Sequence, residues 1–409
     1  MNEKKRPFYL RLWFLLIIFF IILFGGSGLY LSFFYPTTPA WNTVSYITYH
    51  LRHPHEKMSK ETMAFLPYWR LSDIKFARLD LLTEVNYFSL SVDKDGNFVT
   101  VVNGKTDPGW LIWNTTGVKD LIAKTQIMGG KFSVTVATTR NKIIESILQN
   151  KKAQGNLIAN ILKQVQDRHL DGVTIDFEYD GKPDNTIINE FSFFSRDLKD
   201  ALSKTHTSLS LALLPLSARE PGLFHLPALV PFYDRFIGMS YDYYALGSDI
   251  AGPVAPMKGF KENKFFFDVE TTYEDYLKFI PRNKLIMGIP YYGYDWAVER
   301  GSKIQSKTLP SNDPNSYAAV ISYARFREDK DLKKDQCFWD DYALSPWCWY
   351  TDDKKIDHQV WFEDNRSIAE KYKYAKKSNF AGIAIWTLGY DKQYPDLWQV
   401  LDKTFRIEK

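Results

Sequence analysis

This 409-residue chain is short of several things. It has two cysteines, so at most one disulfide can form within it. It has no zinc-type His-Glu-x-x-His and no phosphate-binding glycine loop, which leaves no motif for a metal hydrolase or a nucleotide enzyme. No repeat of solenoid length is visible. The net charge of +4 is small for this length and does not suggest nucleic acid. No cofactor is expected.

What is present is the balance of a globular protein, 45% hydrophobic and 24% charged, with chain enough for one large domain and additions. Aromatic residues are abundant, with 12 Trp, 25 Tyr and 29 Phe. Many must fill a core, and a surplus suits a carbohydrate cleft, where rings stack on sugar faces.

Lys4, Lys5, Arg6 and Arg11 precede Leu12–Phe34, a stretch without a charged residue. As a helix it would span about 34 Å, against a hydrocarbon core of about 30 Å. The basic cluster predicts an N-terminus inside, residues 1–11 as a cytoplasmic tail and 12–34 as a single-pass anchor in the cell membrane, with the large domain outside. A cleaved signal peptide with its apolar part at Leu12–Phe24, and hence secretion, is the competing reading. Residues 35–57 read as a tether carrying Pro36, Pro39 and Pro54. Its His50, His53 and His55 read as solvated linker residues rather than metal ligands.

From residue 58 onward, short apolar runs alternate with helical patterns. Strands are predicted at Thr62–Trp69, Glu84–Val92, Lys131–Ala137, Leu170–Asp180, Ser208–Leu214, Arg235–Tyr241, Leu285–Pro290 and Phe380–Leu388. A further short run follows the second strand at Phe98–Val102. Helices are predicted at Thr116–Met128, Asn141–Gln149, Leu157–Asp167, Asn189–Leu202 and Arg366–Lys377. Eight strands alternating with helices argue for an α/β fold, a closed (β/α)8 TIM barrel whose chemistry sits at the C-terminal strand ends. An open doubly wound sheet would carry a glycine-rich first turn, and Pro67-Tyr68-Trp69-Arg70 is not one. Between the seventh and eighth strands, residues 296–356 form an insertion of short strands and turns. Within it Cys337 and Cys348 flank a turn at Asp340–Pro346. They either pair across a hairpin, as an exported domain allows, or stay reduced.

The fourth strand is unusual. Side chains alternate along a strand, so Val173, Ile175 and Phe177 face one way and Thr174, Asp176 and Glu178 the other. A buried strand does not carry two acids on one face unless they are paired or used, because burying charge is costly. An edge strand with a solvated face is the bland alternative.

This stretch resembles the Asp-Gly-x-Asp-x-Asp-x-Glu strand of glycoside hydrolase family 18, the chitinase-like enzymes, through Asp171, Gly172, Asp176 and Glu178. Thr174 departs from it, because the family usually has Asp there. Met239-Ser240-Tyr241-Asp242, Gly252–Pro256, Gly288–Gly293, Phe338-Trp339-Asp340, Gln359–Phe362 and Gly382–Trp386 resemble further family segments in order.

The resemblance implies hydrolysis beside N-acetylglucosamine, in chitin, peptidoglycan or a related glycan, with the substrate's own acetamide attacking the anomeric carbon. It implies Glu178 as general acid and then base. Asp176 would hold the acetamido N–H and balance the cation, Tyr241 would bond the acetamide, and Asp242 would position the sugar. Trp386 would be the ring's floor. Met239, Tyr68, Tyr292 and Thr174 join them as substrate-binding candidates. Thr174 is expected to donate a hydrogen bond to Asp176 without adding a like charge, leaving Asp176 readily ionised. Lectin relatives typically lose the terminal Glu, which this chain keeps. A lectin on the same barrel, or an envelope assembly protein, are the alternatives to an enzyme.

Overall fold

The computed structural model describes residues 58–407 apart from Pro221, Asp331 and Lys333. The predicted cytoplasmic tail, membrane span and tether with its three histidines lie outside the described residues. Among the described residues no helix is long and apolar enough to cross a membrane.

Eight strands close into a parallel barrel in simple sequential order. They are β1 (Glu61–Pro67), β2 (Glu84–Ser91), β3 (Lys131–Thr138), β4 (Gly172–Phe177), β5 (Ser208–Leu213), β6 (Arg235–Gly238), β7 (Leu285–Pro290) and β8 (Gly382–Trp386). Closure comes from β1, which pairs with β2 on one side and β8 on the other. The outer face of each strand is apolar and packs under helices. Phe177 on β4 stacks beside Phe191 and Phe194 of the helix Asn185–Ser203, with ring centroids 6.3 and 6.4 Å away.

The interior divides by chemistry. Met63, Phe65, Ile237, Ile286 and Ala384 fill the half bounded by β1 and β6–β8. Polar residues of β2–β4 fill the other half. At the floor Arg235 reaches Glu84 and Glu61, 2.6 Å each, and the Ser133 hydroxyl donates to Glu84 at 2.6 Å. Gly172 makes room for this layer, since a β-carbon there would lie 2.7 Å from Ser208 Oγ. One level higher, Asn86 accepts from Thr135 Oγ1 and donates to Thr174 Oγ1, 2.7 Å each. The barrel is filled by side chains up to its mouth, as the fold requires.

Several predicted boundaries shift. The helix expected at Leu157–Asp167 is Lys151–Arg168. Its first turn lacks apolar spacing, but Asn150 caps it by accepting from the Lys152 and Ala153 amides. The sixth strand stops at Gly238 because the chain curls, the Tyr241 amide donating to the Met239 carbonyl at 2.8 Å. The fourth and eighth strands are likewise shorter than Leu170–Asp180 and Phe380–Leu388. The run Phe98–Val102 contributes only a bridge to Val92 and one arm of a small hairpin with Lys105–Thr106.

The insertion is larger than residues 296–356. Its sheet begins at Tyr292, directly after β7, and ends at Trp361. Five antiparallel strands lie in the order Ala318–Ser322, Tyr292–Val298, Asp357–Trp361, Ser345–Thr351 and Cys337–Asp340. With the helix Tyr323–Glu328 it forms the small α+β unit expected. Cys337 and Cys348 face each other across the hairpin and form a disulfide.

Candidate active site

β4 carries its acids to the barrel mouth, and each part of the acid stretch has a distinct task. Asp171 is structural, its carboxylate accepting from the Phe132 amide at 2.8 Å and from Gln126 at 3.1 Å. Thr174 lies on the inner face, as its place in the alternation predicts, and is buried. Asp176 is the last inward residue of the strand and is 5% exposed. Glu178 follows the strand end, half-buried, its amide fixed by the Thr138 carbonyl at 3.1 Å.

Thr174 does not do what the sequence suggested. Its hydroxyl accepts from Asn86, and the Asp176 Oδ1 atom is buried with no hydrogen-bond partner among the described residues. Nor is Asp176 held readily ionised. Burial, reinforced by the charge of Glu178, pushes its carboxyl well above the ordinary range. The reason is that one hydroxyl cannot offset desolvation, and this one is already engaged by Asn86.

The loop after β6 supplies the next groups. Tyr241 is buried, with its ring 6.4 Å from Trp386 and 6.2 Å from Tyr292. Gly288 on β7 permits this, since a β-carbon there would lie 2.9 Å from the Tyr241 ring. Asp242 takes a left-handed backbone (φ 60°), a conformation Asp tolerates. It opens to the cleft, and its Oδ1 accepts from the Tyr292 hydroxyl at 2.5 Å and the Tyr294 hydroxyl at 2.7 Å. Both tyrosines come from the first strand of the insertion, so that subdomain shapes the site. Met239 is half-buried in the core, and its amide donates to Leu213 O at 2.8 Å.

Trp386 stands across the mouth at the end of β8, braced by Phe65 at 5.7 Å and by Phe88 at 4.7 Å, edge to face. Tyr68 sits further out on the rim, half-buried, its ring against Trp69 at 4.7 Å and beside Gly109.

Three carboxyl groups thus share one mouth. Burial and then the charge of Asp242 raise Glu178, while burial raises Asp242 against the lowering effect of its two tyrosines. Tyr241 is raised by burial and by Asp242, Asp176 and Glu178 together. Asp176, the most buried of the three acids, is pushed up to about 8, so the Asp176–Glu178 pair keeps a proton near neutral pH. Among the described residues no cluster of acids, His or Cys has the arrangement to hold a metal.

A sequence profile of the glycosyl hydrolases family 18 matches residues 57–391. The chain belongs to glycosyl hydrolase family 18.

Two curated relatives are cortical fragment-lytic enzymes. That of Bacillus cereus is 27% identical over 346 residues, covering 80% of this chain and 69% of its own. That of Bacillus subtilis (strain 168) is 28% identical over 287 residues, 68% of this chain and 57% of its own. The chain therefore spans only part of the length of these relatives.

Among solved structures, the Bacillus megaterium spore cortex-lytic enzyme SleL superposes with a TM-score of 0.65 at 22% identity, covering 87% of this chain and 76% of its own. The Ostrinia furnacalis Group IV chitinase reaches 0.71 at 18% identity, covering 84% and 99%. These likenesses show the shared barrel.

Within this family-18 barrel the structure brings Asp176, Glu178, Tyr241, Asp242, Tyr292 and Trp386 together, and leaves Tyr68 and Met239 at the margin. Sequence reasoning missed Tyr294, Asn86 and Phe88. Tyr294 shares a face with Tyr292, two residues earlier, and Asn86 shares one with Glu84 and Phe88. Strand alternation was the available signal.

Proposed function

We propose that the chain hydrolyses β-1,4 glycosidic bonds next to N-acetylglucosamine in chitin, peptidoglycan or a related glycan, with retention and with help from the substrate's acetamide. The observation that carries this reading is the unpartnered Asp176 Oδ1, buried at the mouth. A buried polar atom calls for a partner, and the substrate's acetamido N–H supplies one. The names of the relatives, fragment-lytic enzymes and chitinases, support a glycan substrate.

In the first step the acetamide oxygen attacks the anomeric carbon while Glu178 protonates the departing oxygen. Its raised pKa suits the role of acid. The Tyr241 hydroxyl donates to the acetamide oxygen. The Asp176–Glu178 pair enters this step with one proton, held on Glu178, so the N–H, made acidic in the cyclic oxazolinium ion, bonds to an Asp176 carboxylate whose charge stabilises the cation. In the second step Glu178, now a carboxylate, takes a proton from water. That water opens the ring on the face the leaving group vacated. Trp386 supports the sugar from below, and Asp242, fixed by Tyr292 and Tyr294, holds its hydroxyl groups.

The test is release of reducing ends from chitooligosaccharides and peptidoglycan strands. Glu178→Gln should lower kcat by about a hundredfold or more while binding persists. Binding by wild type without any release of reducing ends would favour a lectin instead. We also infer that residues 12–34 anchor the chain in the cell membrane with the barrel outside. Their uncharged length and the basic residues before them support this.

A further inference from the structure

A cavity of about 790 Å³ opens beside the acids and shares Asp242 with the candidate site. Its walls are the loops after β4, β5 and β6. Trp386 ends β8, which lies between β1 and β7 on the opposite arc of the barrel. Glu178 ends the acid stretch, and the four residues that follow it, Tyr179–Lys182, line the cavity. The group that protonates the departing oxygen therefore borders this space. The sugar over Trp386 is the part retained, and whatever enters the cavity belongs to the part that leaves.

The lining is not that of a simple sugar subsite. One wall is aliphatic and aromatic, from Ile188, Leu214, Leu216, Phe266 and Phe267. Phe266 is 65% exposed and Leu214 36%, so this wall presents apolar surface to an incoming group. The rim carries both signs of charge, Lys182 and Arg219 against Asp180 and Glu220. Arg219 is pre-positioned, its guanidinium over the Phe260 and Phe267 rings at 5.1 and 4.9 Å. Its Nε donates to Asp275 Oδ2 at 2.9 Å, while Lys278 takes the other carboxylate oxygen at 2.6 Å. One anion is thus shared by two cations, so Asp275 does not fully neutralise Arg219.

We propose that the cavity receives a short peptide carried on the leaving-group sugar, so that the preferred substrate is a peptide-bearing amino-sugar polymer such as peptidoglycan. The proposal rests on the hydrolase reading above. Such a peptide brings methyl groups for the apolar wall, carboxylates for Lys182 and Arg219, and an amine for Asp180 and Glu220. Chitin offers only its acetamido methyl groups and brings neither the carboxylates nor the amine.

The full chain should be assayed on three substrates: glycan strands bearing stem peptides, the same strands stripped of peptide by an amidase, and chitooligosaccharides of equal length. Phe266→Ala and Lys182→Glu lie outside the proposed catalytic machinery and are compared with wild type. Stripping the peptide should raise KM about tenfold, and each variant should raise KM about three- to tenfold on peptide-bearing strands alone, with kcat unchanged. Equal kcat/KM on stripped and intact strands overturns the proposal, as do variants that affect all three substrates alike. Cleavage of chitooligosaccharides only overturns it while leaving the hydrolase reading intact. Cleavage of none overturns both.

Discussion

Asp176, Glu178 and Asp242 compete for charge at a mouth that is buried around Asp176 and open to the cleft at Asp242. Glu178 is raised first by its own burial and then by Asp242. Asp242→Asn removes that second influence, so the Glu178 carboxyl becomes easier to ionise. An acid catalyst is lost as pH rises through its pKa, so the basic limb of the kcat/KM profile should move to lower pH in this variant. A basic limb left in place would show that Asp242 does not act on Glu178.

Asp176 makes the reverse point about stability. Its folded pKa lies above its unfolded one, because burial and Glu178 disfavour the charged form. The unfolded state therefore releases its proton first. Any stability linked to this proton is complete below the ordinary carboxylate range and is lost as pH rises through the folded value. Asp176→Asn, which cannot ionise, should lose most of its activity yet melt at least as high as wild type at neutral pH. The difference should grow from pH 5 to about pH 8 in thermal melts. A variant that melts lower across that range would count against a costly buried charge.

At the scale of elements, the insertion is bound to the barrel by more than its ends. Just past its last strand, Glu363 meets Lys371 of the helix Asn365–Lys377 at 2.8 Å, both side chains fully buried. Ser345, from the hairpin next to the disulfide, donates to the other Glu363 oxygen at 3.2 Å. Removing one partner strands a charge in the interior. Lys371→Met should destabilise the fold by about 3–5 kcal/mol in denaturant unfolding, and adding Glu363→Gln should recover part of that loss. Recovery of nothing would mean that packing around Lys371, not the pair, carries the effect.

Elements were legible in the sequence where one local rule governed them. Leu285–Pro290 is apolar throughout and was bounded correctly, because a strand enclosed on both faces needs nothing else. The helix Val269–Tyr276 was not anticipated, since its polar residues hide its apolar spacing. Its start is set by Asp268, which accepts from the Thr271 amide at 2.7 Å. The start of the insertion was placed too late because Tyr292 and Tyr294 continue the apolar run of β7. Only their hydrogen bonds to Asp242 show why a new sheet begins there.

On the scale of the whole molecule, the chain enters the barrel at its floor. Met58 bridges to Arg406, and the Ser59 amide donates to the Phe405 carbonyl at 2.7 Å. The acids lie at the opposite end. A chain anchored through residues 12–34 would therefore be tethered from the floor side, opposite the acids. The full chain should sediment with membranes, and a protease that cuts within 35–57 should release a domain with unchanged kcat/KM on soluble glycans. Recovery of the intact chain in the soluble fraction would argue against the anchor.

The sequence by itself determined the barrel and the two acids of β4. Strand alternation and burial are local, and a polar inner face on an apolar strand can be read from adjacent letters. Tertiary structure decided the rest of the site. That Thr174 answers to Asn86 rather than Asp176, that Tyr294 reaches Asp242, and that a two-sided cavity adjoins Glu178 all depend on residues about 50 or more positions apart in the chain. Such distances are closed only when the sheet curls shut, and no period along the chain encodes them.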